Sequence, residues 1–144
     1  MTHVRQQIRE QAVTTATGLT TTGSNVFSNR LFQLMQDQIP YWNVMLGEEE
    51  IEIEGDCNDR IVNLEFHGGA RAADGDVLAD TIDTMIEELE AVVLESNFSM
   101  IKTLDLSDIE TDYDITETDQ AFGTCTVTYR ARYFTAVGAP GTAL

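Results

Sequence analysis

Three features of the sequence predict an α+β fold. Several stretches alternate apolar and polar residues, one long stretch carries a helical stripe at three- and four-residue spacing, and runs of strands stand beside only two helices. That order predicts a mainly antiparallel or mixed sheet with two helices packed on one face. With 144 residues the chain fits one domain, residues 1–136, followed by a flexible tail at 137–144 that has turn formers and no pattern.

The elements follow in order. Val4, Ile8, Ala12 and Ala16 recur every fourth residue, so residues 3–17 read as a helix, with Gly18 as its stop. Residues 20–24 read as a loop and Val26–Arg30 as a short strand; residues 31–38 fit a loop with a helical turn. Pro40–Leu46 alternates with Trp42, Val44 and Leu46 on one face, and Pro40 suits a first strand position, where its missing N–H does least harm. Glu48–Glu54 alternates again, with Ile51 and Ile53 opposite Glu48, Glu50, Glu52 and Glu54. A break at Gly55–Asp59 predicts a hairpin into Arg60–His67, where Val62, Leu64 and Phe66 point inward.

Gly68–Gly75 reads as a loop, and Asp76 as the N-cap of a helix over 77–95. That helix is the clearest element: Leu78, Ile82, Met85, Leu89 and Val92 form one stripe. Asn97 and Ser99 mark a turn. Leu104–Ile115 reads as a strand with a bulge near Ser107, carrying Asp108, Glu110, Asp112 and Asp114 on one side. Residues 117–120 read as a polar turn. Ala121–Phe134 is the strongest strand, with Cys125, Val127, Tyr129, Ala131 and Tyr133 inward.

Charge is the outstanding property of the composition. Asp and Glu number 25 against 8 Lys and Arg, a net −17. Such a surface repels phosphates, so tight nucleic-acid binding is not expected. The cations are Lys102 and seven arginines. Low Lys with abundant Asp, Glu and Thr is also the pattern of proteins from very salty cytoplasm. No apolar run reaches the roughly 20 residues of a membrane helix, and residues 1–7 lack the apolar stretch of a signal peptide, so no membrane association and a soluble intracellular site of synthesis are expected. Cys57 and Cys125 lack metal-ligand spacing and read as small reduced hydrophobes.

No reaction centre can be assembled from the sequence. The two histidines are His3, at a helix start, and His67, on the polar side of a strand. No phosphate-binding loop, dinucleotide fingerprint or nucleophile elbow is present. The carboxylates of 105–114 lack the glycine and terminal Glu of a calcium loop, and carboxylates alternating along a strand form a line rather than a point. Neighbours in such a line stand about 7 Å apart. Each repels the next by only about 0.6 kcal/mol in water, so the pattern needs no metal. No catalytic residue, cofactor or metal ligand is therefore expected.

The order of motifs resembles the tail-terminator (tail-completion) proteins of long-tailed phages. The resemblance rests on His3–Arg9, on Gly18–Gly23 running into Val26–Arg30, and on the proline-led Ile39–Glu50 with its acidic end. It continues through Arg60–His67, the acidic helix and the closing strand Thr124–Tyr133, covering about residues 3–135. The acidity and residues 136–144 are not part of the family pattern. The resemblance implies a virion protein without catalysis: a homohexameric ring on the head-proximal end of the tail tube. Its partners would be the tube protein and the head–tail connector or stopper, and genome DNA would pass through the lumen without specific binding. Related readings are another neck or tail ring protein, such as a tube subunit or connector component, or a small acidic binding module that mimics DNA or takes Ca²⁺.

A ring of six chains at −17 each must overcome its own repulsion. Arg30, Arg60, Arg71, Arg130 and Arg132 are the candidates to meet a neighbour's carboxylates. An acidic lumen would let DNA slide, because no phosphate contacts form. The candidate lumen residues are Glu48, Glu50, Glu52 and Glu54 and the line Asp108, Glu110, Asp112 and Asp114.

Overall fold

The computed structural model describes residues 2–30, 38–95, 98–114 and 121–144. The expectations for 31–37, Asn97, Ile115 and 117–120 lie outside these residues. The chain runs α1 (Val4–Ala16), β1 (Val26–Ser28), β2 (Tyr41–Glu54), β3 (Cys57–Ala72), α2 (Gly75–Val93), β4 (Thr103–Asp114), β5 (Ala121–Ala136) and β6 (Ala139–Ala143). The strands form one mixed sheet ordered β1-β2-β3-β5-β4, with β6 also pairing β5. Only β1–β2 is parallel. This is the predicted α+β fold with both helices on one face.

The core lies between the helices and that face. The stripe Val4, Ile8, Ala12 and Ala16 of α1 is fully buried, as are Leu78, Ile82, Met85 and Leu89 of α2. Every second residue of β5, from Cys125 to Tyr133, is buried beneath them. Trp42, Phe66 and Tyr129, on three adjacent strands, meet edge to face at ring separations of 6.4 and 5.9 Å. No described helix is long and apolar enough to cross a membrane.

Several elements differ from expectation, each for a physical reason. Residues 40–46 and 48–54 form a single strand, β2, whose register shifts between Leu46 and Glu49. The bulge exchanges the two faces of the strand. Leu46 pairs with Leu64 on the core face; past the bulge it is Glu49 that pairs with core residue Val62. Gly47 sits within the bulge, and a Cβ there would stand 2.0 Å from a Glu65 carboxylate oxygen, so that side chain would have to swing aside. The hairpin turn is only Gly55–Asp56, with Gly55 at φ +61°, so β3 already begins at Cys57.

Gly68 and Gly69 are not a loop. They lie inside β3, which runs on to Ala72. A Cβ on Gly68 would stand 2.7 Å from the Trp42 ring, and one on Gly69 would stand 2.6 Å from the Tyr41 ring. The glycines therefore admit two aromatic rings, one on each face of the sheet. The α2 cap is Asp74 rather than Asp76: its Oδ1 accepts from the Asp76 N–H at 2.7 Å and the Val77 N–H at 3.4 Å. Two residues further upstream, the cap lets the helix begin at Gly75. The expected bulge in β4 is present, between Leu106 and Asp108. The segment expected as a patternless tail carries β6, and the Gly141 carbonyl accepts from the Gln7 amide of α1 at 3.0 Å.

Candidate functional site

The face of the sheet away from the helices presents most of the polar chemistry. Paired residues on adjacent antiparallel strands share a face, so the registers define its rows. Glu110, Thr126, His67 and Asn43 form one row; Asp108, Thr128, Glu65 and Met45 form the next. Further along, Arg132, Ile61 and Glu50 share a row, followed by Phe134, Asp59 and Glu52.

Both predicted acidic lines lie on this open face. The Glu50, Glu52 and Glu54 line occupies the far half of β2, and Glu48 joins Glu50, Ser107 and Arg130 around a shallow cleft. The Asp108, Glu110, Asp112 and Asp114 line runs along β4 at the sheet edge and is exposed. The two lines are not brought together. Three strand spacings, about 14 Å, separate β2 from β4. That exceeds a Debye length of roughly 8–10 Å, so the lines repel one another weakly at ordinary salt. Between them stand Thr124, Thr126, Thr128, Arg130 and Arg132 of β5.

The bulge in β2 lies opposite Asn63 of β3, and the bulge in β4 lies between the partners of Tyr129 and Thr128 of β5, one step further along the sheet. They turn Glu48 and Ser107 toward Arg130 in the cleft. Arg130 also approaches Glu50 at 3.7 Å, but both side chains are about half exposed or more, so the pair contributes little stability.

The five candidate arginines separate into three settings. Arg130 and Arg132 pair within the chain on the open face. Arg132 grips Asp59 with two hydrogen bonds, 3.0 and 2.6 Å, and stacks over Phe134 at 5.2 Å. Those bonds to Asp59 push the Arg132 guanidinium above its ordinary pKa, and Glu54 and Glu52 add to the effect. Arg60 turns to the helix side, where Nε donates to the Thr135 hydroxyl at 3.0 Å and Nη1 lies 3.5 Å from Glu49. Arg30 stacks on Phe27 at 4.9 Å, and Arg71 on Phe122 at 5.6 Å. Neither Arg30 nor Arg71 forms an ion pair with a carboxylate among the described residues.

Two clusters were not anticipated. Glu49, at 9% side-chain exposure, receives Arg5 at 3.2 Å, Arg60, and the Tyr133 hydroxyl. Burial and the bond to Glu49 raise the Tyr133 pKa, so its hydroxyl stays a donor. The signal was present: Glu49 shares the alternation of Ile51 and Ile53, a carboxylate on an apolar side. The second cluster is Glu52, Glu54 and Asp59, whose carboxylate oxygens come within 4.8 Å of one another. The Glu line of β2 converges there because the hairpin folds Asp59 beneath it. Asp59 is already neutralised by Arg132, and no further group among the described residues points to a cation.

His67 lies 2.9 Å from Glu65 and 3.3 Å from the Thr126 hydroxyl, half-buried on the open face. His3 is used as a helix cap, its Nδ1 accepting from the Arg5 N–H at 3.0 Å. Both cysteines are free thiols, and burial pushes Cys125 up to about 12, so it stays an unreactive protonated hydrophobe.

The fold has a structural relative. It is similar to a chain of a structure described as the virion of a native gene transfer agent particle, with a TM-score of 0.54, 16% identity and 90% of each chain covered. At that identity the likeness is one of fold. The sequence matches no known family profile and no curated protein.

Proposed function

We propose that this chain is a structural protein of a tailed-virus particle, and within it the terminator ring that caps the head-proximal end of the tail tube. The observation that carries this is the shared fold with a gene transfer agent virion chain over 90% of both chains. The order of motifs along residues 3–135, which resembles the tail-terminator proteins, supports the finer assignment. In this reading the chain is a single domain and six copies form a head-to-tail ring. One side of the ring ends tube growth on the last tube subunits, and the other receives the head connector. No side chain performs catalysis.

The open face is the surface that turns toward the lumen. Glu48, Glu50, Glu52 and Glu54 and the Asp108–Asp114 line would then meet the passing DNA. Carboxylates facing phosphates release no counterions and form no contacts, so the duplex slides through. Arg130 and Arg132 are compatible with this, because each already has a carboxylate partner in its own chain. Deleting the gene in the virus that carries it tests the assignment. Tails without the protein are expected to vary in length and to fail to join heads. Tails of normal length that still join heads would overturn it.

A further inference from the structure

Among the described residues, one flank of the sheet is left without its cover. The side of β4 that faces the helix layer carries Leu106, Ile109 and Tyr113, the parity that β3 and β5 bury beneath α2. Yet α2 rests on β3 and β5, and these three side chains remain 39%, 39% and 40% exposed. Between α2 and β4 runs an open groove lined by Ile86, Ala91, Ile109 and Thr111 together with Asp83, Glu87 and Glu90. The strand itself is an edge of the sheet, with no described partner on its outer side. An uncovered apolar floor beside an unpaired strand edge is the form of an interface rather than of a solvated surface.

Charge says what fits it. Residues 75–114 carry twelve carboxylates against Lys102 alone. At the opposite edge of the sheet, residues 2–30 carry Arg5, Arg9 and Arg30 against Glu10 alone. In a chain of net −17, residues 2–30 carry a net positive charge; the other such segment, residues 121–144, has its Arg130 and Arg132 paired with carboxylates of their own chain, and β1 and β4 are opposite ends of the sheet. Arg9 has no ion pair among the described residues, and Arg30 stacks on the aromatic Phe27 beside the β1 edge. Two acidic flanks would repel, so a symmetric pairing through the groove is disfavoured, whereas acidic flank to basic flank is attractive.

We infer that the α2–β4 groove is the docking site for the α1–β1 flank of a second copy of this chain. Asp83, Glu87 and Glu90 receive Arg9 and Arg30, and the apolar floor is closed by the incoming β1 edge. The contact joins unlike surfaces, so repetition gives a ring or a filament rather than a dimer. The inference deepens the ring proposed above by naming the two surfaces that build it.

Charge reversal tests it on the purified full chain by sedimentation across salt concentrations. One variant carries Asp83→Arg and Glu87→Arg; the other carries Arg9→Glu and Arg30→Glu. Asp83 and Glu87 are exposed and Arg9 and Arg30 are half-buried, so an unchanged circular dichroism spectrum and melting profile verify folding of each variant. Each variant alone is expected to associate at least about tenfold more weakly than the parent, a difference of about 1.4 kcal/mol. Mixing the two is expected to restore assembly, with both chains present in equal amounts. Three results would overturn the inference. The parent could remain monomeric at about 1 mM, near the weakest association of interest. Either variant alone could assemble like the parent, or the mixture could remain monomeric. These outcomes are independent of the tail-length experiment, since a chain that assembled through other surfaces would still cap tails.

Discussion

Glu49 is the residue on which the lower half of the sheet depends. Its carboxylate is nearly buried and satisfied by Arg5, Arg60 and Tyr133, so three elements meet on one charge. Removing one partner of a buried pair leaves the others uncompensated, which costs about 3 kcal/mol or more. Glu49→Ala is therefore expected to lower stability in urea by about that amount, while Glu50→Ala, on the exposed side, is expected to stay within about 0.5 kcal/mol. Equal effects of the two would contradict the placement. Side by side in one acidic run, the two residues have opposite fates. The alternation puts Glu49 on the side of Ile51 and Ile53 and Glu50 on the other, but which side joins the core is decided by the bulge, a tertiary event. Gly47 was its only mark. Gly68 and Gly69 failed for a similar reason: their propensity reads as a loop, while their use is to make room for Trp42 and Tyr41. The stripes of α1 and α2, by contrast, were legible residue by residue, because helical periodicity is local.

At the scale of elements, the two helices and the central strands followed from periodicity, and their ends did not. The α2 start shows why: the sequence points to Asp76 as the cap, but the apolar stripe begins only at Leu78 and does not fix which carboxylate precedes the first turn. The structure uses Asp74. Asp74→Ala is expected to cost about 1 kcal/mol, a fall of about 3–5 °C in Tm, and Asp76→Ala less. Thermal unfolding followed at 222 nm checks both, and a larger loss for Asp76 would contradict the cap. The strand β6 was illegible because five residues containing Pro and Gly carry no alternation; its partner β5 supplies the order. The alternation of β4, in turn, was read correctly, yet its apolar side is not buried within the chain. Periodicity reveals which side avoids water, not which molecule covers it.

On the scale of the whole molecule, the sheet separates its roles. One face is core, the other is polar and open, and the two ends differ in charge. The acidity that excluded nucleic-acid binding at the sequence level becomes an arrangement: two carboxylate lines on one uncovered face, and a strongly acidic flank opposite a basic one. Such an object suits the assembly proposed above, a closed set with an inert inner wall. The most direct measurement is the position and symmetry of this chain in the particle, by electron cryomicroscopy of intact tails. The proposed function predicts a single six-fold ring at the head-proximal end, with the open face of the sheet lining the channel. The chain repeating along the whole tube, or lying outside the tail altogether, would contradict it.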